Sequence, residues 1–185
     1  MPVRCFIAVE VNDPQVLNAF RLVQSRIAST GGDLKLVEEE NIHLTLKFLG
    51  DVDESKLEDV KSIVSSISFP RFLMEIDGVG VFHNIRRPRT IWAAITGGVQ
   101  ELSTIFNGLE AGLLDLGFRR EGRIFSPHIT LARVRGGRNR DKLAEEILDM
   151  RDQAFGSVQV DRIFLKKSVL TSQGPIYSNI VSSMV

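Results

Sequence analysis

Apolar positions along this chain alternate between a two-residue and a three-to-four-residue period, and most changes fall at a glycine, a proline or a charged turn. Residues 5–11, CFIAVEV, predict a strand. Asp13-Pro14 then suits an N-cap and first helical residue, and Val16, Leu17, Phe20, Val23 and Ile27 recur at helical spacing up to Gly31-Gly32. Residues 42–49, IHLTLKFL, predict a second strand, closed by Gly50-Asp51. Leu57, Val60, Ile63, Val64 and Ile67 mark a second helix, and a strand over about 72–81 follows Pro70.

The pattern then begins again. Residues 90–96 predict a strand, and Val99, Leu102, Phe106, Leu109, Leu113 and Leu116 form one apolar helical stripe with Gly117 placed as its C′ residue. Residues 128–134 predict a strand, Gly136-Gly137 a turn, and 141–150 a short helix carrying Leu143, Ile147 and Met150. Two final strands are expected at 157–170 and 176–184, joined by a turn at Gln173-Gly174-Pro175. The order β-α-β-α-β thus occurs twice, followed by one more strand. This weak duplication predicts a single bilobal domain over 1–185, with approximate repeats 1–88 and 89–185 facing each other across a cleft.

Composition narrows the class. Hydrophobic residues make up 43% and charged residues 25%, ordinary for a globular chain of 185 residues. Cys5 is the single cysteine, which excludes an internal disulfide and a Cys-rich metal site. No apolar run approaches the roughly 18 residues of a membrane span, and the N-terminus is charged too early for a signal peptide. The expectation is a cytoplasmic protein without membrane contact. Lys plus Arg and Asp plus Glu both total 23, so the chain is not a bulk polyanion binder. Its arginines are nevertheless clustered, at Arg86-Arg87-Arg89, at Arg119-Arg120-Arg123 and at Arg133-Arg135-Arg138-Arg140. Such clusters can hold phosphates locally, although each can equally be a solvated loop.

Candidate chemistry lies in two of the three histidines. His43-Leu44-Thr45-Leu46 and His128-Ile129-Thr130-Leu131 share one pattern, 128 − 43 = 85 residues apart, at the same place in each repeat. On a strand His43 shares a face with Thr45, and His128 with Thr130, while the apolar pair of each motif faces the other way. Two imidazoles flanking one phosphate can supply a base to the attacking oxygen and an acid to the leaving oxygen. The threonine hydroxyls can donate to the non-bridging oxygens, where charge develops. No metal is expected, because two histidines with no carboxylate at ligand spacing are too few ligands.

Alternation puts Lys47 on the face of His43, as a second cation or as a solvent-facing lysine. It puts Arg133 on the far face, unless a bulge or the strand end returns it to the groove as a phosphate ligand. His83 reads as a loop residue. Trp92, Phe48 and Phe125 read as core, with base stacking as the other possibility.

With these residues in view, the chain resembles the RNA 2′,3′-cyclic phosphodiesterases once called 2′-5′ RNA ligases, of the two-histidine (2H) phosphoesterase superfamily. The resemblance spans nearly the whole chain. It is carried by Arg4-x-Phe6-Ile7-Ala8, by Asn41 to Gly50 (NIHLTLKFLG), by Pro127 to Arg133 (PHITLAR) and by Gly174-Pro175-Ile176-Tyr177. It implies an α+β fold of two pseudo-symmetric lobes, each a mainly antiparallel sheet backed by helices, around a V-shaped cleft. It implies hydrolysis of RNA 2′,3′-cyclic phosphate ends to 2′-phosphomonoesters without a cofactor, with His43 as proton donor and His128 as proton acceptor. Thr45, Thr130 and Arg133 would hold the phosphate. It also implies 2′-5′ ligation of tRNA half-molecules as a side activity. Nothing in the chain suggests an obligate oligomer, and a monomer is expected.

Two other readings stand beside this one. The first is a phosphodiesterase of small cyclic or 2′-5′-linked nucleotides; the second is a non-catalytic RNA-binding module. The basic loops at 86–89 and 119–123 discriminate the first: lining the cleft they favour long RNA, and pointing away they favour a small substrate. Two intact His-Thr pairs speak against a binding module.

Overall fold

The computed structural model describes residues 1–183. In chain order its elements are β1 (Val3–Glu10), α1 (Pro14–Ser29), β2 (Leu34–Leu36), β3 (His43–Val52), α2 (Glu54–Ser66), β4 (Phe72–Asn84), β5 (Arg87–Gly97), α3 (Val99–Asp115), β6 (His128–Val134), α4 (Arg140–Asp149), β7 (Ala154–Val160), β8 (Phe164–Leu170) and β9 (Pro175–Ser182). One short 3₁₀ turn, Glu39–Asn41, precedes β3. Local chemistry explains the boundaries. Asp13 caps α1 as expected, its Oδ1 accepting from Gln15 N at 2.9 Å and Val16 N at 3.0 Å. Gly117 follows α3 with φ of 84°, a left-handed turn that a residue bearing Cβ resists.

The strands run β7-β4-β5-β6-β3-β1-β8-β9, with β2 added alongside β6. Every pairing among the described residues is antiparallel. The sheet divides at its centre, where β3 and β6 are joined through one residue pair, Leu44 with Ile129. On one side lie β3, β1, β8 and β9, packed by α2 and α3; on the other lie β6, β5, β4 and β7, packed by α1 and α4. This is the expected α+β arrangement of two sheet-and-helix lobes.

The repeats interlock. β1-α1-β3-α2-β4 corresponds to β5-α3-β6-α4-β8, and the last strand of each unit pairs with the first strand of the other. The first helix of each unit also packs on the other unit's half. Both halves therefore share one core, in which Ile7, Phe20, Leu44, Ile129 and Leu131 are wholly buried.

Three features depart from the periodicity. The long strand expected at 157–170 is two strands, broken at residues 161–163, that serve opposite halves: β7 pairs with β4 and β8 with β1. Buried positions shift phase across the break, from Val158 and Val160 to Ile163 and Leu165, as a change of sheet requires. β2 and the 3₁₀ turn are too short to carry a period. The hairpin of β4 and β5 is longer than expected, because Asn84 Oδ1 accepts from Arg86 N at 3.1 Å and Arg87 N at 2.9 Å and closes a tight turn. The final expected strand reaches 184, which lies outside the described residues; β9 ends at Ser182. No helix among the described residues is long and apolar enough to cross a membrane.

Candidate active site

The central seam forms the floor of a cleft of about 920 Å³. His43, Thr45, His128, Thr130 and Arg133 all line it. Antiparallel pairing of Leu44 with Ile129 sets His43 on the Thr130 side and Thr45 on the His128 side. Both histidines open their strands and are held the same way. His43 Nδ1 lies 2.8 Å from the carbonyl oxygen of Asn41, and His128 Nδ1 lies 2.7 Å from that of Ser126, in each case two residues earlier. A carbonyl only accepts, so each Nδ1 carries a proton and Nε2 is left as the nitrogen that exchanges one. The Thr45 hydroxyl is 2.9 Å from His43 Nε2. His128 has no such bond to Thr130.

Aromatic rings fix both imidazoles. Tyr177 meets His43 edge-on at 5.4 Å between centroids, with Phe6 at 4.9 Å on another side. Phe82 meets His128 edge-on at 4.6 Å. Burial pushes the His43 pKa down to about 4, aided by the charges of Lys166 and Arg133 and opposed by the Asn41 carbonyl and Glu10. Burial also lowers that of His128, aided by Arg133 and opposed by the Ser126 carbonyl. Both are neutral in the free protein near pH 7. The Arg133 charge contributes to both shifts, and Arg133 lines the same cleft as the two rings.

A repeated bulge decides the two cations. In β3 the pairing with β1 skips Leu46, and in β6 the pairing with β5 skips Leu131. Each extra residue reverses the alternation beyond it. Arg133 is thereby returned to the cleft, the outcome strict alternation disfavoured. Lys47 is turned inward: its ammonium is buried against Glu110 and donates to the Arg119 carbonyl at 3.0 Å. The other Glu110 oxygen accepts from Glu121 N at 3.0 Å. Lys47 therefore borders the cleft as a strut for the 119–121 segment, with its charge already matched, and not as a cation open to a ligand.

Phe48 is the counterpart of Arg133, five residues after its histidine. It is 71% exposed on the cleft wall, against the expectation of core packing. Phe125 stacks on Phe106 at 4.5 Å, also on the wall. Trp92 is partly buried beside His128, and Gly80 makes room for it, since a Cβ there would lie 2.2 Å from the indole. Arg123 lines the cleft; Arg87 and Arg89 open instead onto a neighbouring hollow. Sequence reasoning missed Phe82 and Tyr177 as ring supports, because only the tertiary fold brings them to the histidines. Among the described residues, no group of three or more His, Cys, Asp or Glu side chains is placed to hold a metal ion.

Comparison with known proteins agrees with this geometry. The family model described as LigT like Phosphoesterase matches residues 9–92 and again 96–177, once per repeat. An RNA 2′,3′-cyclic phosphodiesterase of Aeropyrum pernix is 42% identical over 85% of this chain and 90% of its own length. One from Methanothermobacter thermautotrophicus is 39% identical over 97% of each chain. Among solved structures, TT0787 of Thermus thermophilus superposes with a TM-score of 0.80 at 27% identity, covering 97% of this chain and 96% of that one. E. coli LigT complexed with 3′-AMP gives a TM-score of 0.78 at 22% identity, over 98% and 97%, and shares the fold. The doubled His-Thr seam, the interlocked repeats and these matches together show that the chain belongs to the LigT-like phosphoesterase family.

Proposed function

We propose that the cleft hydrolyses RNA 2′,3′-cyclic phosphate ends to 2′-phosphomonoesters, with His128 as base and His43 as acid. The observation that carries this reading is the matched pair of imidazoles, each with Nδ1 committed to a backbone carbonyl and Nε2 left to titrate, in one cleft that Arg133 also lines. The relatives named RNA 2′,3′-cyclic phosphodiesterase support the substrate class. The order of acid and base follows the family resemblance.

In this mechanism Arg133 and the Thr45 and Thr130 hydroxyls hold the non-bridging oxygens. Water attacks phosphorus and gives its proton to His128 Nε2, while the bond to O3′ breaks and O3′ takes a proton from His43 Nε2. The acid must be protonated, yet in the free protein it is neutral. The bound phosphate resolves this conflict. Its negative charge favours one protonated ring, and the charge of that ring then holds its partner neutral, as an acid and a base require. Substrate binding thus brings the proton that the leaving oxygen needs. With the 5′-hydroxyl of a second RNA in place of water, the same step would form a 2′-5′ linkage, and tRNA halves carry suitable ends.

The test is to incubate the protein, with EDTA present, with a short RNA ending in a 2′,3′-cyclic phosphate, and to identify the product terminus. A 2′-phosphate is expected. A 3′-phosphate would reverse the regiochemistry, and turnover only on added metal would refute the acid–base mechanism.

A further inference from the structure

Beyond the cleft, the same end of the sheet holds a second hollow of about 320 Å³, lined by His83, Arg87, Arg89, Arg135 and Arg140. These five side chains are exposed. None of the four guanidinium groups has a carboxylate within 4.0 Å among the described residues. A chain with no net charge has enough carboxylates to match them. Crowding four unmatched cations costs repulsion that an anionic ligand would relieve.

The hollow is also shaped. The Asn84 turn fixes the backbone at Arg87. His83 has φ of 80°, a left-handed conformation uncommon away from glycine. Gly137 lets the Arg140 guanidinium fold over the backbone, since a Cβ there would lie 3.1 Å from Arg140 Cζ. The hollow adjoins the cleft in sequence: Arg89 precedes the cleft residue Thr90 on β5, and Val134 follows the cleft residue Arg133. Thr90 and Arg133 are paired residues on the cleft side, and Arg135 lies just past the end of β6. Arg135 lies two residues beyond Arg133, about 7 Å on, a distance that one or two nucleotides of a strand span.

Resting on the proposed RNA substrate, we propose that this arginine hollow binds a backbone phosphodiester upstream of the cyclic end, and so makes the protein prefer RNA strands over mononucleotides. A mononucleoside 2′,3′-cyclic phosphate has no phosphate to place there; an oligoribonucleotide has one.

The test compares wild type with R87A/R135A and R87K/R135K on two substrates, a mononucleoside 2′,3′-cyclic phosphate and an oligoribonucleotide with the same end. For R87A/R135A, kcat/KM on the oligoribonucleotide should fall about tenfold and the salt dependence should flatten by about one unit of slope, with the mononucleotide rate unchanged. R87K/R135K should recover most of the loss. An equal fall on both substrates, or no fall on the oligoribonucleotide, overturns the proposal. Binding of an oligoribonucleotide ending in a 3′-phosphate, followed by fluorescence anisotropy, gives a readout independent of turnover. If wild type hydrolyses neither substrate, the cyclic-phosphate reading fails. The hollow is then judged on anisotropy alone: about tenfold weaker binding by R87A/R135A upholds it, and unchanged binding overturns it.

Discussion

Acidification should destabilise this protein through His43, and His43→Gln should remove that part of the pH dependence. The imidazole takes up a proton at about 4 in the folded chain and near 6.5 in the unfolded one. A depressed folded pKa means that the unfolded chain binds more protons between those values. Stability is therefore full above pH 6.5 and is lost as pH falls towards 4. The full gap corresponds to about 3 kcal/mol, of which about 2 kcal/mol should appear between pH 7 and about pH 5. Stopping there matters. Glu10, held low by Lys166 and Asn179, and Asp161, held low by Arg162, titrate further down and would add their own losses. His128 shifts in the same direction but is present in both proteins, so it cancels in the difference. Urea unfolding of wild type and His43→Gln at about pH 7, 6 and 5 measures it. The glutamine variant should be the less pH-dependent of the two by about 2 kcal/mol over this range. Parallel curves, within a few tenths of a kcal/mol, would falsify the claim that burial holds His43 neutral.

His43→Ala and His128→Ala should each lower kcat/KM for a cyclic-phosphate RNA by about 10²–10⁴-fold while leaving RNA binding nearly intact, read by steady-state rates and anisotropy. Arg133→Lys should retain part of the activity and Arg133→Ala little, because the lysine keeps the charge by the phosphate without the two-pronged geometry; rates at saturating and limiting substrate check this. Lys47→Met leaves Glu110 buried and uncompensated and should cost about 3–5 kcal/mol in a urea melt, whereas Lys47→Met with Glu110→Leu should recover most of it. Near-wild-type kcat/KM in that double variant is the expected sign that Lys47 does not contact the substrate.

Much of the candidate site is legible in the sequence because the chain states it twice. A single His-x-Thr on a half-buried strand would mean little, but a second one 85 residues on ties the strands to one symmetry, and the cleft follows. What is illegible is whatever depends on a departure from strict alternation. The skipped Leu46 and Leu131 decide that Lys47 turns in and Arg133 turns out, and neither bulge has a glycine or proline to announce it. The broken strand at 161–163 is hidden for a related reason: apolar residues continue on both sides, and only their phase changes. Phe82 and Tyr177 come to the histidines from β4 and β9, a matter of sheet order that no local pattern records.

Different residues at the positions that the matched bulges present make the near-symmetric seam asymmetric. Symmetry delivers two imidazoles with identical backbone anchors, which suits a displacement that needs an acid and a base on opposite sides of phosphorus. Identical surroundings would leave the two roles interchangeable. Five residues beyond each histidine, however, one wall carries Arg133 and the other an exposed Phe48. Near His43 lie Glu10, Lys166 and the Thr45 hydroxyl; near His128 the comparable hydroxyl is not engaged. A cyclic phosphate drawn towards Arg133 meets one ring on each side in a different field. Under the proposed mechanism, the departures from symmetry would supply the direction of proton transfer, and the symmetry the pair of groups that transfer it.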